Sequence, residues 1–256
     1  MQKKNSIVQK NGKILELWMS GHLIIEGNEF EDVLENGCYL MYPWVNRLSD
    51  KNVQHKFHDS NGYPLHGLYV NTEREILEEN QNQICLIPKD REQQQSHFQE
   101  IYTFIKDNQI SIEFNISNNQ DLEYGIGYHP YFNFENIDDV IMITNLTQRL
   151  VVNQDLIPIG DQLQWEDVNL SEISLKHQEF DNCFKNNEDK LFIKLISSKY
   201  TLLIESDSMK YCQIYTPSDR KRIAIEPQSS TADCFKYQTS LKGNCKVGFT
   251  VTIILN

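Results

Sequence analysis

Five short segments carry the residue types able to move protons or grip a polar ligand. They are Pro43-Trp44-Val45-Asn46-Arg47, Tyr63-Pro64-Leu65-His66-Gly67, Gly125-Ile126-Gly127-Tyr128-His129-Pro130-Tyr131-Phe132, Phe180-Asp181-Asn182 and Ile225-Glu226-Pro227-Gln228. Glu226 follows the apolar run Ile223-Ala224-Ile225 and precedes a proline. A carboxylate at the end of a buried strand must find partners or give up its charge. By default it is a structural ion-pair partner. His66 and His129 each sit beside a proline-restricted backbone, where a turn or packing role is the plain reading. Arg47 is by default an ion-pair partner, Asp181 a turn residue, and Trp44 and Tyr128 core or rim aromatics. The chemical reading is different. A carboxylate and an imidazole supply a base and an acid near neutral pH, since one is normally ionised there and the other titrates close by.

Such groups must be positioned by strands. Ile110, Ile112, Phe114 and Ile116 alternate with polar residues, as do Val247, Phe249, Val251 and Ile253; period two marks half-buried strands. Two apolar runs, 191–196 and 200–204, flank Ser197-Ser198-Lys199 and predict a hairpin, and Asn11-Gly12 predicts another. Further strands are expected at 38–42, 102–105, 141–144, 211–215 and 222–225. Residues 71–79 offer at most a turn or two of helix. The polar patch 91–96 (REQQQS) reads as a loop. Many short strands and almost no helix predict an all-β sandwich or barrel. With no repeat and no linker, one continuous domain over residues 1–256 is the simplest account.

The totals narrow the partners. Lys and Arg number 24 against 36 Asp and Glu, a net charge of -12. That balance disfavours nucleic acid and anionic membrane surfaces. The N-terminal lysines are followed by no apolar core and no run is long enough for a membrane helix, so a cytoplasmic protein is expected. Six cysteines without CxxC spacing then imply six free thiols rather than disulfides or a metal site. No metal or cofactor is expected. Composition does not set the oligomeric state.

In order along the chain, PWVNR, YPLHG, GIGYHPYF, FDNCF and IEPQS resemble the aldose 1-epimerase (galactose mutarotase-like) family. The resemblance runs from about Leu40 to Phe235, with GYHPYF its most specific piece; the order of alternating strands, Asn118 and the histidine motif also fits. It implies a large twisted antiparallel β-sandwich with an open sugar cleft on one sheet. It implies interconversion of the anomers of a free aldohexose such as glucose or galactose. Glu226 then corresponds to the general base, His129 to the general acid and His66 to a second histidine near the ring oxygen. Arg47 and Asp181, with Asn46, correspond to sugar-binding residues, and Trp44 or Tyr128 would wall the cleft. A carboxylate beside His129 would raise the imidazole's pKa. Where relatives often carry an arginine and then a tryptophan, this chain has Val70 and Arg74, which bears on the cleft wall. Two rivals remain: an epimerase of hexose 6-phosphates, for which Lys221 and Arg222 could supply charge, and a sugar-binding protein without catalysis.

Overall fold

The structure, a computed structural model, describes residues 5–89, 97–117 and 122–256. The 91–96 patch and Asn118 lie outside the described residues. Two large antiparallel sheets make up the body. The first has ten strands. At its centre Gly127–Asn133 lies between His22–Glu26 and Arg222–Gln228, and the sheet continues through Tyr211–Tyr215 to Asp181–Lys185. The short strand Cys38–Met41 pairs with Gly127–Asn133 along part of its length. The second sheet has nine strands, with Tyr200–Ser206, Cys245–Leu255 and Gln109–Ser117 at its middle. The one helical feature among the described residues is the 3-10 turn Ile137–Asp139.

One apolar core fills the space between the sheets. Ile14, Leu17 and Ile225 from the first meet Ile112, Phe114, Leu202 and Ile204 from the second, all at 0% exposure. Alternation explains how. Every second residue of Gln109–Ser117 is buried and the intervening ones are not, so one face packs and the other is solvated. Tyr128 and Tyr42 reach across the gap to Phe249 and Phe114. A smaller cluster of Tyr39, Met41, Val45, Val70, Tyr131 and Ala224 lies apart from that core, on the outer face of the first sheet.

Both expected hairpins form: Ser6–Lys10 pairs with Lys13–Met19, and Leu191–Ile196 with Tyr200–Ser206. All six cysteines are free. The expectation of helix within residues 71–79 is corrected. Arg74–Glu79 is an edge strand paired with Gln83–Pro88 through a bulge. It has no apolar stripe to bury, and a ready partner four residues on offers its backbone hydrogen bonds. Val70 is buried in the outer cluster. Arg74 points inward, where its Nε donates to Glu100 Oε1 at 2.5 Å with both side chains at 0% exposure.

Candidate active site

Strands Gly127–Asn133 and Arg222–Gln228 run antiparallel with Gly127 opposite Gln228 and Tyr131 opposite Ala224. That register sets His129 directly across from Glu226. Sequence pattern places Glu226 at a strand end and His129 in a loop; both instead lie inside central strands. Ladder pairs bracket this stretch but do not run through it, and Pro130 and Pro227, which have no N–H to give, fall within it.

Facing residues on neighbouring strands bring side chains within contact distance. His129 Nε2 lies 3.2 Å from Glu226 Oε1, with both side chains buried. The imidazole is stacked between the rings of Tyr39 and Tyr131, at centroid distances of 4.8 and 4.6 Å. Both phenols donate to the carbonyl of Leu34, which fixes the two rings and hence the imidazole between them. The His66 ring meets His129 edge-on at 5.3 Å. Neither histidine's Nδ1 has a hydrogen-bond partner among the described residues, although both atoms are buried. Buried nitrogens without partners at one spot suit a polar ligand.

The next strands extend the site. Gln213 lies opposite Glu226, and its Nε2 donates to Asp181 Oδ1 at 2.6 Å. Arg47 donates through Nε to Asp59 Oδ2 at 2.7 Å, and its charge still reaches the carboxyls of Asp181 and Glu226. Asn46 is buried and donates to Gln228 Oε1 at 3.2 Å, so its amide serves a neighbouring side chain.

The loop carrying His66 is held in an unusual backbone. His66 and Asn46 have φ of 63° and 50°, in the left-handed region that non-glycine residues seldom adopt. The His66 N–H donates to the Asn46 carbonyl at 2.9 Å, so each braces the other. Gly67 follows at φ 73°, and a Cβ there would sit 2.3 Å from the Tyr42 carbonyl oxygen. Gly67→Ala is therefore expected to cost at least about 2 kcal/mol, from backbone strain and the clash together. Urea unfolding checks this; an unchanged midpoint would show that the loop relaxes freely.

Electrostatics at the pair differ from the sequence expectation. Burial holds the His129 imidazole down at about 3, and Lys13 adds slightly. Burial also pushes Glu226 well above the usual carboxylate range, helped by Asp181 and opposed by Gln228 and Arg47. Burial is the largest cause at both groups, because it leaves neither charged form solvated. Both shifts favour a singly protonated pair, a neutral carboxyl beside a neutral imidazole. His66 is likewise pushed well down by burial, then by His129 and Arg47. Asp181 is raised by burial against the pull of Arg47 and Gln213.

Two expected wall residues are packing residues. Tyr128 alternates with His129 and so points to the opposite face, into the core between the sheets. Trp44 is buried in a small cluster with Leu48 and Cys234, edge-on to His55. Conversely, Gln213 and Tyr39 escaped sequence reading, and Tyr131 stood there only as an aromatic of the histidine motif. A glutamine inside the strand YCQIY was the available signal, since a polar residue amid a buried run calls for a partner. A groove of about 640 Å³ lies elsewhere, lined by His22, Glu26, Asn133, Lys199 and Arg222 among others, with none of the site residues. Several of its charges already pair with one another, as Lys199 does with Glu135 and Arg222 with Asp219. Among the described residues no cluster of three or more His, Cys, Asp or Glu is placed to hold a metal ion. No described helix is long and apolar enough to cross a membrane.

The same architecture occurs in solved structures of low sequence identity. An aldose 1-epimerase homologue from Escherichia coli K12, itself described as putative, superposes with a TM-score of 0.78 at 13% identity, covering 96% of this chain and 94% of that one. An aldose epimerase homologue from C. elegans gives 0.77 at 15% identity, covering 97% and 98%. A galactose mutarotase-like protein from Lactobacillus casei gives 0.76 at 15%, covering 98% of each chain. No curated protein sequence matches. The family model for aldose 1-epimerase matches residues 6–246, nearly the whole of both sheets, and the chain belongs to the aldose 1-epimerase family.

Proposed function

We propose that the protein is an aldose 1-epimerase, interconverting the α and β anomers of a free aldohexose such as glucose or galactose. The observation that carries this reading is the buried contact between His129 Nε2 and Glu226 Oε1 at 3.2 Å. In a pyranose the anomeric hydroxyl and the ring oxygen are bonded to the same carbon. A base for one and an acid for the other must therefore stand side by side, not at opposite ends of the sugar. With the shared proton on His129, Glu226 takes the proton of the C1 hydroxyl. His129 gives its proton to the ring oxygen, and the C1–O5 bond breaks. Rotation about C1–C2 turns the aldehyde over. The protons then return along the same two paths and the ring closes. Atoms and charges balance without any covalent intermediate. Arg47 and Asp181 supply a donor and an acceptor for hydroxyls, and His66 stands beside His129 near the ring oxygen.

Hexose 6-phosphate is the weaker substrate reading. Arg222 is tied to Asp219 and to the Glu35 carbonyl, so it is not a free phosphate ligand. Contact between the two proton-transfer groups supports catalysis over simple sugar binding. Saturation-transfer NMR on glucose and on glucose 6-phosphate tests all three readings. Exchange with glucose well above the buffer rate, and slower with the phosphate, is expected. Exchange no faster than buffer at high protein concentration would leave a sugar-binding protein.

A pH profile follows from the singly protonated pair. Acid inactivates when a second proton reaches His129, whose pKa burial has depressed to about 3. Alkali inactivates when the pair's only proton leaves Glu226, whose pKa is raised. The plateau of kcat/KM, which reports the free enzyme, should thus extend below the ordinary histidine value of about 6.5. An acid limb near that value would mean that His129 titrates as if solvated.

A further inference from the structure

Glu226 has two oxygens, and the pocket treats them differently. Oε1 faces His129. Oε2 accepts an N–H from Gln228 Nε2 at 3.2 Å. Gln228 is completely buried, two residues along the same strand and on the same face. Its amide is held in one orientation by Asn46. Asn46 Nδ2 donates to Gln228 Oε1 at 3.2 Å, and Gln228 Nε2 reaches back toward Asn46 Oδ1 at 3.5 Å. The two primary amides thus form a reciprocal pair. A primary amide nitrogen has two hydrogens. One points to Asn46, and the other is left for Glu226. Flipping the Gln228 amide would set its carbonyl against the Glu226 carboxyl and its NH2 against the NH2 of Asn46.

We propose that Gln228, oriented by Asn46, is a positioning residue that reserves Oε2 of Glu226 as a permanent acceptor and leaves Oε1 as the one oxygen that exchanges protons. This rests on the epimerase reading above. An oxygen that accepts a buried N–H is the poorer place for a proton, so the carboxyl's proton sits on Oε1, on the 3.2 Å line to Nε2 of His129. The acid hydrogen is aimed before any sugar arrives. Asn46 therefore acts through Gln228, from a backbone held at φ 50°.

The groups that bear on Glu226 from the surrounding elements are few. They are His129 and Tyr131 on one neighbouring strand, Cys212 on the other, Asp181 and Cys183 one strand further, Tyr39 beyond His129, and Arg47 from the loop. Beside these groups, Gln228 donates a hydrogen bond to Oε2.

The test compares wild type with Gln228→Met, which keeps length and loses the donor, and Gln228→Glu, which keeps shape and adds a rival carboxyl. Rates are measured with glucose across pH. Loss of the donor removes what favours the ionised form of Glu226, so the alkaline limb of kcat/KM should move upward by at least half a pH unit in Gln228→Met. A second carboxylate repels the first, so the limb should move further in Gln228→Glu. In both variants kcat should fall by about tenfold or more, at the low end of what a placed proton-transfer group contributes, with KM changed less than threefold. A role confined to packing would lower the unfolding midpoint and leave the limb where it is, and that result overturns the proposal. Gln228→Glu is isosteric, so it reads the limb even if Gln228→Met fails to fold. Wild type with no activity on glucose sinks the epimerase reading itself; an active wild type whose limb ignores both substitutions sinks only the role of Gln228.

Discussion

Glu226→Gln should lower kcat for glucose mutarotation by about 10²–10⁴-fold, the contribution of one well-placed proton-transfer group. The substitution keeps the side chain's size, so packing against the floor of the site survives. It replaces an oxygen able to gain and lose a proton with an amide that can do neither. Sugar affinity should change far less, because Arg47 and Asp181 are untouched. The informative measurement is therefore the split between kcat and a directly titrated dissociation constant. His129→Asn should act in the same direction. Because acid and base work as a unit, the double variant should be little slower than either single one. Full turnover in Glu226→Gln would remove the base from the proposed mechanism. Equal losses of affinity and turnover would assign the residue to binding.

The second large effect concerns stability. Arg74 and Glu100 form an ion pair with both side chains at 0% exposure. Tyr102 donates its hydroxyl to the second oxygen of Glu100 at 3.1 Å. Arg74 also donates to the carbonyls of Thr72 at 2.6 Å and Tyr69 at 3.1 Å, and its guanidinium lies over the rings of Tyr69 and Phe98. Arg74→Met strands a carboxylate away from water, and breaking one side of such a pair costs about 3–5 kcal/mol. The urea midpoint should fall accordingly, with the slope unchanged. Adding Glu100→Leu should recover much of the loss, since the buried charge is then gone from both sides. A double variant as unstable as the sum of its singles would show that the two residues are not energetically coupled. Arg74 lies against Gly12 and away from His129 and Glu226, so it has no part in the proposed sugar contacts.

The chain's local pattern determined much by itself. Period two in 110–116 and 247–253 marked strands that occur, and Asn11-Gly12 marked a hairpin that occurs, because alternation and turn chemistry are properties of a few neighbouring residues. Short motifs likewise marked Glu226, His129, His66, Arg47 and Asp181 as candidates. Pattern failed where pairing partners are remote. Residues 71–79 carry no apolar period, and only the neighbouring strand Gln83–Pro88 makes residues 74–79 extended. Pro130 and Pro227 argued for loops, yet both lie in central strands, because the rest of the sheet holds those strands in place without the missing N–H groups.

Tertiary structure alone decided the surroundings of the His129–Glu226 pair and the use of each aromatic ring. Residues 129 and 226 are almost a hundred positions apart, and only antiparallel register makes them cross-strand neighbours. Burial then bears on the charge: a sequence shows a carboxylate and an imidazole, which in water attract as ions, whereas the folded sheet excludes the water and favours their neutral forms. One residue of register likewise separates Tyr128, committed to the core, from His129 on the outer face, since adjacent side chains of a strand point to opposite sides.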